Sequence, residues 1–157
     1  MKAATISELK QELVNLSQKE LVELCLRLGR FKKENKELLT YLLYEAHDDE
    51  GYIKSVKKEI EQQFEEINVS HLYFVKKSLR KILRIISKHV RYTGSRQAEA
   101  EWLIHLVKLI RDSGIEIHRN QALTNLYNGQ IKKIQAAINT LHEDLQYEYV
   151  RELQQLK

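Results

Sequence analysis

The 157-residue chain has no proline, five glycines and a single cysteine. Because proline and glycine are the residues that most often interrupt helices, a chain this poor in both favours helix over nearly its whole length. A lone cysteine cannot form an internal disulfide, and Cys25 has leucine neighbours in the sequence, so we expect a buried thiol in a reducing compartment. These shortages predict an intracellular, all-helical protein.

Long apolar runs are also missing. No stretch approaches the roughly 20 apolar residues that a membrane-spanning helix needs, and the opening MKAATISELK lacks the apolar core of a secretory signal. We therefore expect a protein that does not span a membrane, is not exported by such a signal and is cytoplasmic. The length fits one domain with a substantial core, covering residues 1–157.

Apolar residues recur at steps of three and four along most of the chain, which predicts about seven or eight helices. Ser17 with Glu20 forms a capping-box pattern, Thr5 or Ser7 can open the first helix, and Ser95 can open a later one. Predicted helix boundaries coincide with all the glycines, Gly29, Gly51, Gly94, Gly114 and Gly129. The expected fold is an all-α, compact, mainly antiparallel multi-helix bundle, which we prefer to a short α-solenoid because no residue signature repeats.

The stretch 72–92, LYFVKKSLRKILRIISKHVRY, predicts an amphipathic helix with one apolar and one cationic side. Its apolar stripe comprises Leu72, Val75, Leu79, Ile82, Leu83, Ile86 and Val90. Its cationic side, here called the basic face, comprises Lys76, Lys77, Arg80, Lys81, Arg84, Lys88 and Arg91. Residues 71–96 contain no acid, so the net charge of +4 arises here and the rest of the chain is net negative. Asn68 and Ser70 are the expected caps of this helix.

A local excess of positive charge can bind an acidic protein, nucleic acid or another polyanion. Tyr73, Phe74 and Tyr92 lie near the ends of the basic face, where aromatic rings could stack on exposed bases or complete a core. The competing interpretation is a solvated face, partly neutralised by the glutamates that end the preceding predicted helix. The sequence favours neither a binding face nor a merely solvated face.

A second candidate is the turn RYTGSR, in which Arg91, Ser95 and Arg96 could hold a phosphate or sulfate at a helix start. Glu99 and Glu101 follow in the next turns and satisfy the same helix end. An ordinary capped turn is therefore the preferred interpretation.

No pattern for a metal, cofactor or catalytic site occurs. None of the six histidines has the paired Glu-x-x-His or His-Glu-x-x-His spacing of metal-binding helices, so we expect surface histidines. There is no glycine-rich phosphate loop, no nucleophile elbow and no recognisable cysteine–histidine pairing, so we expect no enzyme.

The last predicted helix covers residues 131–156 and has a nearly coiled-coil spacing. Its seam comprises Ile131, Ile134, Ile138, Leu141, Leu145, Tyr149, Leu153 and Leu156. It could pair with a second copy, giving a homodimer, or pack on its own bundle. Packing within the chain is preferred because the flanks lack a regular alternation of opposite charges.

The run SHLYFVKKSLRKILRIISKHVRYTGSRQAEAEW, followed by NQALTNLY and LHEDLQYEY, resembles a group of small all-helical bacterial proteins. The resemblance covers most of the chain from Ser17 onward. It implies an all-helical, cytoplasmic bacterial protein and carries no activity, cofactor or catalytic residue. Taken together, we expect a non-enzymatic binding or scaffold protein that presents its basic face to an acidic protein or other polyanion, with nucleic-acid binding as the alternative.

Overall fold

Eight α-helices follow one another along residues 2–156, the part of the chain that this computed structural model describes, and no strand lies among them. The helices are α1 Ile6–Leu13, α2 Gln18–Phe31, α3 Lys33–Thr40, α4 Asp49–Glu65, α5 Leu72–Thr93, α6 Arg96–Asp112, α7 Gln121–Ile138 and α8 Glu143–Gln154. A π-helical segment, Tyr41–Glu45, follows α3, and a 3₁₀ turn, Ile117–Arg119, precedes α7. The predicted all-α fold is confirmed.

Side-chain caps set the starts of the first two helices as the sequence predicts. The Glu20 amide donates to Ser17 Oγ at 3.4 Å, while Glu20 Oε2 accepts from the Ser17 amide at 2.8 Å. Thr5 and Glu8 form the same reciprocal arrangement at the start of α1. Each cap satisfies amides that have no partner within the helix, so these short helices have defined first turns.

The basic helix α5 starts differently from the prediction. Its N-cap is His71, whose side chain makes no capping hydrogen bond. Asn68 instead accepts from the Ser70 amide at 2.9 Å, so it stabilises the preceding turn. The predicted caps at Asn68 and Ser70 were therefore wrong, because both residues lie before the first helical turn.

The glycines divide into two groups. Gly94 and Gly114 have φ of +63° and +71° and end α5 and α6, as predicted, because glycine adopts left-handed backbone without strain. Gly51 lies in the first turn of α4 and Gly29 two residues before the end of α2, close to the predicted boundaries, whereas Gly129 lies in the middle of α7, so its predicted role as a boundary was wrong. A glycine inside a helix costs only about 1 kcal/mol, which favourable neighbours and packing can offset.

Contacts divide the chain between Glu45 and Ala46 into two units, whereas length and composition predict one domain without a linker. In the first unit α2 packs against α3, and none of the residues of α1, α2 or α3 is buried. Large apolar side chains stay exposed there, among them Phe31 at 76% and Leu28 at 53%. Cys25 is exposed as well, so the predicted buried thiol was wrong.

The second unit is organised around α6. Its buried residues occupy about two thirds of the helix surface, and Trp102, Leu106 and Val107 have no exposed surface. A half-buried polar strip that includes Glu101, His105 and Lys108 occupies the rest. A helix with so wide an apolar surface must be enclosed by others, and α6 contacts α4, α5 and α7. The indole of Trp102 donates to the carbonyl of Ile53 in α4 at 3.1 Å, so the polar atom of this buried ring is satisfied.

Paired side chains show the direction of these helices. Lys57 bonds Glu101, and one turn further along both helices Glu61 contacts His105, so α4 and α6 run the same way. Tyr149 of α8 bonds Glu101 of α6, and Glu152 further along α8 pairs with Lys108 further along α6. The helices α6 and α8 therefore also run the same way. Since α5 and α7 connect these three helices through short turns, consecutive helices of the second unit are antiparallel.

The predicted helix over residues 131–156 was wrong. Residues 139–142 interrupt it, and α7 instead continues through Gly129, where the sequence predicted a turn. Ile134, Ile138 and Leu153 are buried. The segment therefore has no continuous seam.

Candidate functional site

The apolar side of α5 fixes how its cations are presented. Val75, Leu79, Ile82 and Ile86 are buried in the second unit, so the helix cannot rotate without exposing them. Leu83, which the sequence placed in the same stripe, is only half-buried. It lines the same surface as several of the cations, because it sits at the edge of the apolar arc.

The cations of the basic face lie along the outer side of α5. Most are exposed, namely Lys77, Arg80, Lys81, Arg84 and Arg91, while Lys76 and Lys88 are half-buried. Within residues 2–156, Lys88 is not free of partners, and none of the other six forms an ion pair. The remaining cations are available to an external anion.

An open concavity of about 540 Å³ lies on this face. It is lined by Tyr73, Lys76, Lys77, Arg80, Leu83 and Arg84. Tyr73 is 66% exposed and Phe74 is 44% exposed, and their ring centroids lie 5.6 Å apart in an edge-to-face arrangement. The cations therefore surround a surface that also offers an aromatic ring and one leucine.

The glutamates of α4 were the expected source of neutralisation for this face. Glu59 Oε2 instead lies 3.0 Å from Nε2 of His89, and Glu61 Oε1 lies 2.9 Å from Nε2 of His105. These two acids thus contact histidines of α5 and α6, and Glu66 accepts from Gln63 at 3.4 Å. The free cations of the basic face remain uncompensated.

The turn between α5 and α6 has its polar groups already in use. Ser95 Oγ accepts from the Ala98 amide at 3.1 Å, and Arg96 donates to Glu99 at 2.6 Å. Thr93 Oγ1 accepts from the Ser95 amide at 3.1 Å. Of the three residues predicted to hold an anion here, only Arg91 has no such bond, and the geometry is that of a capped turn.

A polar cluster that the sequence did not reveal lies among α4, α6 and α8. We call it the Glu101 cluster; it comprises Lys57, Glu101, His105, Lys108, Tyr149 and Glu152 around a cavity of about 200 Å³. Glu101 accepts from Lys57 Nζ at 2.7 Å and from the Tyr149 hydroxyl at 2.8 Å, and Lys108 pairs with Glu152. Its hydrogen-bonded partners are 44 to 48 positions apart along the chain, which is why no local pattern predicted it.

Protonation in the Glu101 cluster favours structure over acid–base chemistry. Burial raises the pKa of Glu101, but hydrogen bonds from Lys57 and Tyr149 outweigh it and the net pKa is lowered. Burial and the hydrogen bond to Glu101 together raise the pKa of the Tyr149 hydroxyl. A carboxylate that stays ionised and a phenol that stays protonated form a fixed pair, unlike a proton donor tuned near neutral pH.

Two histidines predicted to lie on the surface are instead packed between helices. His89 is hydrogen-bonded at both ring nitrogens, with Tyr52 at 2.7 Å and Glu59 at 3.0 Å. The contact of His105 with Glu61 has ion-pair distance but a direction unsuited to a hydrogen bond, so we treat it as electrostatic. Burial lowers the pKa of His105, with Glu61 acting in the opposite direction.

Within the described residues, no three histidine, cysteine or acidic side chains converge as a metal site would require. No helix in residues 2–156 is both long and apolar enough to cross a bilayer. The chain matches no protein-family model, no curated protein and no solved structure. The basic face and its surroundings are therefore the best candidate for a functional surface.

Proposed function

We propose that the protein is a non-enzymatic binding or scaffold module whose basic face on α5 binds an acidic protein surface or another polyanion. The observation that supports this most directly is the row of cations without ion pairs around the concavity at Tyr73 and Leu83. An anionic partner would gain charge contacts there without first breaking existing pairs. We also propose a bacterial, cytoplasmic protein, for which the exposed free thiol of Cys25 suits a reducing compartment.

Charge reversal on the basic face tests this proposal. Lys77→Glu with Arg84→Glu removes two exposed cations that line the concavity. We expect loss of salt-sensitive retention on heparin, because each lost cation lowers the slope of log affinity against log salt by about 1. Retention equal to that of the wild type would contradict the proposal.

A matched control separates the basic face from net charge. Lys132→Glu with Lys133→Glu reverses two exposed lysines on α7 and changes the net charge by the same amount. This variant should keep the wild-type elution salt. If both double variants elute alike, retention reflects total charge and no specific face.

Single-stranded nucleic acid is the second candidate partner, and the exposure of Tyr73 and Phe74 favours it. Base stacking on an exposed aromatic ring contributes about 1–3 kcal/mol. Tyr73→Ala should then weaken binding of a single-stranded oligonucleotide by about fivefold or more while leaving heparin retention intact. Equal loss for both ligands would count against stacking and favour the acidic-protein alternative.

A further inference from the structure

The first unit carries a groove along α2 and α3 that the basic face does not explain. Its volume is about 600 Å³. Its apolar lining includes Leu26 of α2, Leu39 of α3 and Leu43 of the following π-helical segment. Leu26 and Leu43 remain 46% and 63% exposed, so the groove is an open apolar surface.

The charged lining of this groove has one sign. Arg30, Lys32, Lys33 and Lys36 line it and are exposed, and no acid does so. Lys33 lies 3.6 Å from Glu37, whereas the other three form no ion pair with any residue in the described range. An occupant must therefore combine apolar side chains with negative charge.

The shape of the groove further restricts which kind of molecule can occupy it. The apolar residues lie in a groove between two helices, which suits a third helix better than a flat lipid surface. The lining residues run along the whole of α3, whose 8 residues extend about 12 Å at 1.5 Å per residue, a length that gives a docked helix about two turns of contact. Gly29 lines the groove and presents no side chain, which leaves room for close approach.

We propose that this groove binds an acidic amphipathic helix of a partner protein. Apolar residues at steps of three and four on that helix would contact Leu26, Leu39 and Leu43, and its flanking carboxylates would pair with Arg30, Lys32 and Lys36. Charge disfavours symmetric pairing of this groove with the same groove of a second copy, because both carry positive charge. The inference concerns the first unit and does not depend on polyanion binding by α5.

The test is fluorescence anisotropy with the full chain and a labelled synthetic helix of about 20 residues that has leucines at helical spacing and flanking glutamates. We expect saturable, salt-sensitive binding of this peptide, and much weaker binding of the same peptide with lysine in place of glutamate. Leu26→Asp with Leu43→Asp should lower affinity roughly tenfold or more, since it removes apolar contacts and adds repulsion. Both leucines are exposed, so circular dichroism should show the fold retained.

Charge variants locate the binding on this groove. Arg30→Glu with Lys36→Glu should weaken the acidic peptide and reduce its salt dependence, whereas Lys77→Glu with Arg84→Glu on α5 should leave it unchanged. No saturable binding of the acidic peptide, equal binding of both peptides, or indifference to the Leu26 and Leu43 changes would overturn the proposal. The proposal would also be overturned if the chain formed a concentration-dependent dimer, or bound anionic vesicles, and the Leu26 and Leu43 changes abolished that association.

Discussion

The ion pair between Lys57 and Glu101 is the most informative place to perturb the second unit. Lys57 Nζ lies 2.7 Å from Glu101 Oε2, and the two side chains are 30% and 19% exposed. Lys57→Met keeps a long apolar stem but removes the charge. Glu101 then retains bonds from Tyr149 and Gln97 without a neighbouring cation to offset its burial.

The expected loss follows from the exposure of the pair. A hydrogen bond to a charged group contributes about 1.5–3 kcal/mol, and breaking a fully buried pair costs about 3–5 kcal/mol. Because both side chains keep some contact with water, we expect the free energy of unfolding to fall by about 2 kcal/mol near neutral pH. That corresponds to roughly a 30-fold smaller folding equilibrium constant.

The pH dependence provides an independent check. In the wild type the pKa of Glu101 is lowered from 4.5, so its stabilising effect is complete above about pH 4.5 and is lost as the pH falls through the folded pKa. In the variant, burial acts without Lys57 and raises that pKa, so protonation relieves the unpaired charge. The stability difference between the two proteins should therefore be largest near neutral pH and shrink in acid.

Urea unfolding followed by the fluorescence of Trp102 measures this difference. It is the only tryptophan and is fully buried in α6, so its emission reports the second unit. Lys54→Met is the matched control, since Lys54 lies 3.9 Å from Glu50 with both side chains exposed and should change stability by no more than about 0.5 kcal/mol. A Lys57→Met effect equal to this control, or one independent of pH, would refute the reasoning.

Three further predictions follow from the packing. Gly29→Ala should raise the free energy of unfolding by about 0.5–1 kcal/mol, because glycine weakens a helix and the new Cβ would lie 3.7 Å from Leu39, in ordinary contact. Urea unfolding followed by circular dichroism should show a higher midpoint, and a lower midpoint would contradict this prediction. Because the pKa of His105 is lowered, the wild type loses stability as the pH falls from about 6.5 through the folded pKa. His105→Gln should therefore flatten the dependence of the free energy of unfolding on pH between about pH 7 and pH 5. An unchanged pH dependence would show that His105 does not cause this loss. Ile134→Ala on α7 should cost about 2–5 kcal/mol in urea unfolding because Ile134 has no exposed surface, and a loss under about 1 kcal/mol would show that the site is not close-packed.

Features set by neighbours along the chain were readable from the sequence. The three-and-four spacing of apolar residues, the Ser17–Glu20 capping box and the left-handed Gly94 each depend on residues within one or two helical turns. Gly129 misled the prediction, because glycine is tolerated in the middle of α7, where the surrounding residues and their packing favour helix. The predicted single helix over residues 131–156 failed because no local pattern required α8 to begin at residue 143.

The sequence by itself determined that the chain is helical and that α5 has one apolar and one cationic side, since both follow from residue type and helical period. Only the tertiary structure decided that Glu59 and Glu61 of α4 contact histidines and that Glu101 has Lys57 and Tyr149 as partners. These pairings join residues 30 to 48 positions apart, so they depend on how helices pack against one another. Helical periodicity fixes which side chains share a face, and packing fixes which charges on that face remain unpaired.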